Sequence, residues 1–471
     1  MKKVVIIGAG PAGLAAAYEF YVQKKLKDHK ILIFETDSQV GGISKTLLYK
    51  GFRFDLGGHR FYTKFPEIHT FYRDFLGGDM YKRKRLSRIY YEKKFFDYPL
   101  SAGNALTNLG FLRSTEIAWS WLKRQFSRHE EERTFDKWIS NRFGDKLFRI
   151  FFKSYTEKVW GIPTDRLSAD WAAQRIQNFD LPKAVVNALF KVNPGSKTII
   201  SSFYYPKYGP GMLYEKIRAL LKKEGVEFHL GHEVVGFKKL KNAISAVIVK
   251  KKKSGRLFQV NGVDHVISTM PLNKLISYLA PPPFLKKEIE KLRFRSFLTV
   301  GLIVKSNPFP DQWIYVHDPT VDVGRIQNFK NWSPYMVERK KKCTSIGMEY
   351  FCDKGDTLWE LSDLALVQKA QQELIQIGLA GKKDFVDGFV YRVDDAYPVY
   401  NFGYRKPLKK SKEFVSRIKN LGVCGRGGMY RYNNQDHSIL TGFYAVRNYL
   451  SRDPKWDVWK INEDGAYLEE K

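Results

Sequence analysis

The chain has 471 residues, of which 44% are hydrophobic and 15% aromatic, so it can bury more core than one domain usually holds. Its formal net charge is +31, with basic runs at 82–85, 250–253 and 339–342, but no recognisable nucleic-acid-binding module accompanies them. Cys343, Cys352 and Cys424 are scattered without metal-ligand spacing, which disfavours a disulfide scaffold, a zinc site and an iron–sulfur cluster. We therefore expect a globular, multidomain protein that binds neither nucleic acid nor metal.

The first 46 residues predict a strand–loop–helix–strand unit that binds a dinucleotide. The apolar run 4–7 is followed by a GxGxxG turn, whose glycines permit the turn itself, the approach of a pyrophosphate to the helix N-terminus, and close packing of helix on strand. Glu35 ends the second apolar run, where it can accept hydrogen bonds from ribose hydroxyls and disfavours a 2′-phosphate. The predicted cofactor is non-covalent FAD, bound by Gly8, Gly10, Gly13, Glu35, Gly41 and Gly42.

Residues 51–60 alternate like a strand and end in a glycine turn, which could bring Gly57, Gly58 and His59 near the flavin. From about 86 to 192 the pattern turns helical and aromatic-rich, as in Phe111–Phe126, which suggests an inserted helical domain. The cofactor domain resumes with a helix that opens at 209–212 and with strands at 226–229, 234–235 and 263–268. Val234, on one of these strands, is a further predicted cofactor contact.

Strand-like runs between about 292 and 348 predict a substrate-facing sheet, and the chain returns to the cofactor domain with a buried strand at 421–426. A glycine-rich turn then precedes the closing helix, 438–450, and offers backbone donors and a positive dipole end to the flavin. Gly425, Arg426, Asn434 and Asp436 are the predicted cofactor contacts in this segment. Asp436 and Ser438 are equally interpretable as N-caps, and His437 as a structural histidine.

The predicted fold is α/β, with a Rossmann-like FAD-binding domain built from the separated segments 1–85, 205–272 and 385–471. A mainly helical substrate or lid domain is predicted at 86–204, and an antiparallel sheet substrate domain at 273–384. No run approaches the length of apolar sequence that a membrane-spanning helix needs, and the chain opens directly on the Rossmann strand, so we expect a cytoplasmic protein.

Several segments together resemble the UDP-galactopyranose mutase family, within the broader group of FAD enzymes that includes protoporphyrinogen oxidases and amine oxidases. They are 56–63, 155–161, 324–326 with 348–350, 396–399, and 425–430, and the similarity runs nearly end to end. The resemblance implies a flavin-facing His59, a uracil-stacking Tyr155, a sugar-lining Trp160 and a diphosphate-binding Arg325. It also implies pocket tyrosines at Tyr397 and Tyr430 and a flavin contact by Arg426.

The chain departs from that family at one wall of the pocket. A second diphosphate-binding arginine is expected shortly after Arg175, but Gln177, Asn178 and Phe179 stand there, and an apparent insertion lies between 181 and 201. From the residues alone, Tyr155 and Trp160 are also interpretable as core aromatics, and Arg325 as one half of an interstrand ion pair.

The sequence therefore predicts an FAD enzyme acting through flavin N5 on an anionic small molecule, namely a nucleotide-linked or lipid-linked sugar. The predicted catalytic residues are His59, Arg325, Tyr397 and Tyr430, and the predicted substrate-binding residues are Tyr155, Trp160, Arg325 and Tyr397. One alternative is an oxidoreductase that passes hydride from an apolar or cyclic substrate to FAD, and another is a non-catalytic binding protein similar to GDP-dissociation inhibitors. NAD(P)H is a candidate external reductant, and the basic surface is a candidate for peripheral membrane contact.

Overall fold

The computed structural model describes residues 1–98, 100–127, 131–176, 202–338, 342–451 and 455–463. The sequence predictions for Gln177, Asn178, Phe179 and the insertion between 181 and 201 lie outside the described residues, as does most of the basic run 339–342.

The described strands, in chain order, are β1 (Lys2–Ile7), β2 (His29–Glu35), β3 (Thr46–Tyr49), β4 (Phe52–Asp55), β5 (Met80–Lys84), β6 (Ser87–Tyr91), β7 (Lys94–Asp97), β8 (Ser202–Pro206), β9 (Glu227–Leu230), β10 (His232–Leu240), β11 (Ala243–Lys251), β12 (Leu257–Asn261), β13 (His265–Ser268), β14 (Phe294–Lys305), β15 (Trp313–Val316), β16 (Arg325–Asn328), β17 (Cys343–Cys352), β18 (Phe385–Pro398) and β19 (Leu421–Val423).

The described α-helices are α1 (Pro11–Val22), α2 (Pro66–Leu76), α3 (Ala102–Leu109), α4 (Phe111–Phe126), α5 (Phe135–Phe143), α6 (Asp145–Leu147), α7 (Ser154–Trp160), α8 (Ala169–Ile176), α9 (Gly211–Lys223), α10 (Leu272–Tyr278), α11 (Pro283–Ile289), α12 (Phe329–Trp332), α13 (Thr357–Glu360), α14 (Asp363–Gln376), α15 (Arg405–Ser416), α16 (Gly425–Gly428) and α17 (Gln435–Leu450). A π-helical turn, Phe148–Lys153, joins α6 to α7, and short 3-10 turns lie at Gly42–Ser44, Gly77–Asp79, Pro334–Met336 and Val458–Lys460.

A five-stranded parallel sheet in the order β19-β13-β1-β2-β9 forms the Rossmann-like half of the fold. Alternate residues of β1 face two different cores, because successive side chains of a strand point to opposite sides. Val4 and Ile6 pack with α1, α9 and α17, whereas Val5 and Ile7 pack with the three-stranded sheet β10-β11-β12 and with α10, α11 and α15. The sheet is therefore covered on both faces, as a continuously apolar strand requires.

The second large sheet has seven strands in the order β18-β14-β17-β16-β15-β6-β7, and all its pairs are antiparallel except β15 with β6. Two of the domain boundaries that we predicted from the sequence do not agree with this strand pairing. Residues 385–398, which we assigned to the cofactor domain, form β18 and pair with β14. Residues 87–97, which we assigned to the helical domain, form β6 and β7 at the other end of the sheet. The pairing extends the sheet beyond the predicted limits 273–384, because strands distant in sequence complete its two edges.

The helical lobe comprises α3 to α8 and packs its aromatic core against the seven-stranded sheet through Phe297, Phe351 and Tyr397. The mixed α/β architecture predicted from the sequence, with a Rossmann-like part assembled from separated segments and a helical insertion, is confirmed. Within the part of the chain that the structure describes, no helix is both long and apolar enough to cross a membrane.

Candidate functional site

The glycine turn after β1 has the close approaches that a dinucleotide site needs. Gly8 has φ +96°, and a Cβ built on Gly13 would lie 1.9 Å from the carbonyl oxygen of Gly8, so only glycine lets α1 begin so near the strand. A Cβ on Gly10 would meet the Cα of Gly42 at 3.6 Å, and Gly41 has φ +104°. The two glycine segments therefore face each other across a side-chain-free cradle at the N-terminus of α1, which fits a pyrophosphate.

Glu35 lies at the carboxyl end of β2, beside this cradle, and is buried. Its Oε2 accepts a hydrogen bond of 2.7 Å from the backbone N–H of Ala9, and its Oε1 accepts one of 2.9 Å from the N–H of Asp37. Carboxylate oxygens can accept several hydrogen bonds each, so this geometry leaves acceptor sites for ribose hydroxyls. Glu35 thus fits the predicted ribose contact and also fixes the two loops on either side of it.

The closing glycine turn reaches the same cradle. Gly425 has φ +79°, and a Cβ there would lie 3.0 Å from the Cβ of Ala12 at the start of α1. The guanidinium of Arg426 donates from Nε to the carbonyl oxygen of Asn433 at 3.0 Å, whereas its Nη1 is buried and has no hydrogen-bond partner among the described residues. A buried, unsatisfied cation donor beside the glycine cradle fits a flavin acceptor.

Two of the predicted contacts at the start of α17 have protein partners of their own. Asn434 is the N-cap of the helix and forms a capping box with His437, so the N-cap falls at Asn434 rather than at Asp436 or Ser438. The structural role considered for His437 matches this position. Asp436 is buried, with an oxygen 3.5 Å from Nδ1 of His437. Val234 is also buried and precedes a bulge in β10.

Gly57 and Gly58 follow β4 and bring its loop against the seven-stranded sheet. Gly57 has φ +108°, and a Cβ there would lie 3.2 Å from Oε1 of Glu349. A Cβ on Gly58 would lie only 1.9 Å from Cζ3 of Trp313. Both glycines are therefore required by contact with the sheet, and they place the next residue, His59, beside the site.

Arg325 and Glu349 are directly opposite each other on β16 and β17, and their side chains form a buried ion pair of 3.3 Å. The Nε of Arg325 donates a hydrogen bond of 2.8 Å to the hydroxyl of Tyr155. Burial raises the pKa of Glu349, although the positive charge of Arg325 opposes this shift. Burial also disfavours the charged form of Arg325, but Tyr155 and Glu349 outweigh that effect and hold the pKa of Arg325 well above its ordinary value. The interstrand ion pair considered from the sequence is thus present, and Gln327 binds the other oxygen of Glu349.

Aromatic side chains form the adjoining wall. The rings of Tyr397 and Tyr432 stack at 5.5 Å between centroids and 16° between planes, and Arg426 lies over both of them, 5.0 Å and 4.7 Å from the centroids. Trp160 meets both tyrosines edge-on. Burial and the neighbouring Tyr432 raise the pKa of Tyr397, which therefore keeps its proton.

His59 lies within the electrostatic reach of both arginines. Its pKa is lowered to about 4, chiefly by burial, with the charges of Arg426 and Arg325 acting in the same direction. Backbone hydrogen bonds, such as that between Nε2 and the carbonyl oxygen of Leu56 at 3.2 Å, oppose this shift. The imidazole is neutral at pH 7. Six of the predicted site residues therefore lie close together in the fold: His59, Arg325, Tyr155, Tyr397, Trp160 and Arg426.

Tyr430 does not join them, and its predicted catalytic position is corrected. Its hydroxyl donates to the carbonyl oxygens of Val399 at 2.6 Å and Arg293 at 3.0 Å, in the core on the far side of the turn. Tyr432 takes the place in the aromatic wall that we expected for Tyr430. Sequence reasoning missed Tyr432, Trp313 and the role of Glu349 as the partner of Arg325. Only Glu349 carried a usable signal, because it lies inside the quoted segment 348–350, on the strand next to that of Arg325.

The sequence of the chain matches a known protein family and one curated relative. A family model described as flavin containing amine oxidoreductase matches residues 11–430. Over 274 residues the chain is 25% identical to 1-hydroxycarotenoid 3,4-desaturase of Flavobacterium sp. (strain P99-3), an alignment that covers 53% of this chain and 54% of that protein. The chain thus matches about half the length of this curated relative.

Two solved structures share the fold over almost their whole length. A crystal structure of reduced UDP-galactopyranose mutase has a TM-score of 0.82 at 24% identity, covering 96% of this chain and 95% of that one. A putative protoporphyrinogen oxidase from Exiguobacterium sp. 255-15 has a TM-score of 0.71 at 18% identity, covering 95% and 98%. At these identities the likeness concerns the fold.

Proposed function

The chain belongs to the family of flavin-containing amine oxidoreductases, and from that premise we propose that it acts on a nucleotide-linked or lipid-linked sugar at the site around Arg325. It is a flavoenzyme, so the alternative of a non-catalytic binding protein is set aside. The proposed cofactor is FAD, held by the glycine cradle, Glu35 and Arg426. The bound flavin would supply either a nucleophilic N5, when reduced, or a hydride acceptor, when oxidised.

The observation that supports a sugar diphosphate most is the pairing of a buried arginine with an aromatic wall. Arg325 is held at Nε by Tyr155 and at Nη1 by Glu349, so its planar donor fork is fixed in direction before a ligand arrives. Such a fork suits the oxygens of a diphosphate, to which arginine can donate two hydrogen bonds at once. The stacked Tyr397 and Tyr432 offer flat faces to a sugar ring or a base.

In this proposal the residues of the site bind the substrate and exclude water, and they do not transfer protons. Arg325 stabilises negative charge on the departing diphosphate, and Tyr155 orients Arg325. The neutral His59 adds a polar edge without a further charge. Trp160 and the tyrosines keep the reacting carbon away from water, which strengthens every charge interaction inside the site.

An oxidoreductase is the second candidate, and one observation favours it. Glu349 already compensates the charge of Arg325, which weakens the attraction of that arginine for an anion. A site of low net charge lined by Trp160, Phe351 and Tyr397 suits an apolar substrate that gives up a hydride. NAD(P)H as an external reductant stays a prediction in either case.

An anaerobic experiment separates the candidates. The dithionite-reduced protein is incubated with UDP-sugars and with polyprenyl-diphosphate sugars, and ring-contracted product is measured against flavin. A redox-neutral mutase makes many products per flavin without taking up oxygen. Bleaching of the oxidised flavin by substrate, with no turnover by the reduced protein, would establish the oxidoreductase instead.

A further inference from the structure

The ammonium group of Lys158, on α7, is surrounded by backbone carbonyl oxygens of residues 316–323. These residues lead from the end of β15 towards β16, and we call them the β15–β16 connection. The Nζ of Lys158 donates to four of their carbonyl oxygens, those of Val316 at 3.2 Å, Asp318 at 2.9 Å, Val321 at 2.8 Å and Val323 at 3.1 Å. An ammonium has three N–H groups, so these four acceptors occupy all of its donors.

The β15–β16 connection is held between two opposite charges. Burial lowers the pKa of Lys158 to about 8, although the acidic side chains of Glu373, Asp322 and Asp318 oppose this shift, so the amine is protonated at pH 7. The carboxylate of Glu373, on α14, accepts hydrogen bonds of 3.0 Å from the N–H groups of Asp322 and Val323. The connection is therefore fixed at its N–H groups by a carboxylate and at its carbonyl oxygens by an ammonium.

The same connection meets the proposed site through α7. Oγ of Ser154 donates a hydrogen bond of 2.6 Å to the carbonyl oxygen of His317, whose ring stacks on that of Tyr155 at 4.4 Å between centroids and 13° between planes. Residues three and four apart on a helix are neighbours, so Lys158 lies next to Ser154 and Tyr155. The connection leads into β16, which begins at Arg325, the partner of the Tyr155 hydroxyl. Lys158 thus anchors the segment before Arg325 to the helix that carries Tyr155.

We propose that Lys158 is a positioning residue, whose ammonium holds the β15–β16 connection on α7 and so keeps Arg325 and Tyr155 in the geometry that binds a diphosphate. This inference rests on the function proposed above for Arg325. An arginine that is ordered before its ligand arrives loses less conformational entropy on binding. Since the donors of Lys158 are occupied by the connection, Lys158 acts through Arg325 and not through a ligand contact of its own.

The test uses the flavin-loaded full chain, with inorganic pyrophosphate as the probe and its binding followed in the flavin spectrum. Lys158→Ala removes the ammonium and leaves room for a small cation among the carbonyl oxygens. Ammonium chloride should refill that place, whereas tetramethylammonium chloride at the same concentration has no N–H donor and is the salt control. Lys216→Ala is the matched variant, because Nζ of Lys216 donates to the carbonyl oxygen of Phe75 at 3.0 Å in the Rossmann-like half. Lys158→Gln, which keeps two N–H donors, replaces Lys158→Ala if that variant does not fold.

Lys158→Ala should bind pyrophosphate roughly three- to tenfold more weakly than the wild type, because one long side chain must then be ordered on binding. Ammonium should restore most of that affinity, while tetramethylammonium and Lys216→Ala should change it little. Tyr155→Phe should weaken binding in the wild type but add little in Lys158→Ala, because both changes release the same arginine.

Unchanged affinity in Lys158→Ala, additive effects of Lys158→Ala and Tyr155→Phe, or no rescue by ammonium would overturn the proposal. So would ammonium that raises the unfolding temperature of Lys158→Ala without restoring affinity, since Lys158 would then serve stability alone. If the wild type itself binds no pyrophosphate, the diphosphate function proposed for Arg325 fails. The same pair of variants in denaturant unfolding then decides about Lys158, because non-additive effects support its hold on the contact between Tyr155 and Arg325 and additive effects refute it.

Discussion

The Nε atom of Arg325 lies 2.8 Å from the hydroxyl oxygen of Tyr155, and this hydrogen bond joins the seven-stranded sheet to the helical lobe inside the proposed site. On the other side of the guanidinium, Glu349 forms the ion pair that runs between β16 and β17. The side chain that we propose to bind the substrate therefore also lies at the junction between the seven-stranded sheet and the helical lobe.

Replacement of this arginine tests the diphosphate contact. Arg325→Ala should weaken substrate binding by roughly 10- to 100-fold, because a charge-assisted contact is worth about 1.5–3 kcal/mol, and Arg325→Lys should restore only part, because the fork is lost. Binding is measured by titration of the flavin spectrum. Since Arg325→Ala leaves Glu349 buried without its partner, Glu349→Gln is introduced with it to keep the protein folded. Unchanged affinity in that double variant would remove Arg325 from the site.

Replacement of Glu35 tests the cofactor. FAD should be bound stoichiometrically and be released by acid precipitation, since no attachment residue is evident. Glu35→Ala should weaken FAD binding by about tenfold or more, through loss of a hydrogen bond to a charged group and of the support that Glu35 gives to Ala9. Glu35→Gln keeps one acceptor oxygen, so its affinity for FAD should lie between those of the wild type and Glu35→Ala. Flavin that stays with the acid-precipitated protein would contradict the non-covalent prediction.

The contact of Gly58 with Trp313 predicts a specific destabilisation. Gly58→Ala should lower the free energy of unfolding by about 1–3 kcal/mol, because its Cβ would overlap the indole ring. Gly78→Ala is the control, since nothing lies within 4 Å of a Cβ there. Combining Gly58→Ala with Trp313→Leu should recover much of the loss in a double-mutant cycle. Additive effects would show that the two residues do not interact.

His59 predicts how stability depends on pH. Its pKa is about 4 in the folded protein and 6.5 when unfolded, so below pH 6.5 the unfolded state binds the additional proton. His59 should therefore contribute a loss of stability as the pH falls from about 6.5 to 4, of about 2–3 kcal/mol in total. The difference in the free energy of unfolding between the wild type and His59→Gln, measured with denaturant, should become smaller as the pH falls through this range. A constant difference from pH 7 to pH 4 would contradict the burial of the imidazole.

The parts of the fold that could be predicted are those that follow from local sequence patterns. The first strand, helix and Glu35 follow from short-range spacing, whereas the strand pair at 324–326 and 348–350 was implied only by the family resemblance. The last two strands of the seven-stranded sheet, β6 and β7, were missed, because β15, which pairs β6 to the rest of the sheet, lies more than 200 residues away. In Tyr430-Arg431-Tyr432 the sequence could not indicate which ring faces the site, since Tyr430 adopts φ +47° and a turn has no alternation to follow.

The order of the strands of the parallel sheet along the chain also determines when a newly synthesised chain can complete its cofactor site. Its central strand, β1, is synthesised first, yet its neighbour β13 begins at His265, and the glycine turn that closes the cofactor cradle follows β19, at Gly425. Until β13 has been made, the apolar residues of β1 lack one of their pairing strands, and until the turn at Gly425 has followed, the chain lacks the proposed flavin contact Arg426. Pairing across such sequence separations is slow. Production of this enzyme should therefore respond to chaperone capacity and to flavin supply during translation more than to the stability of the finished fold.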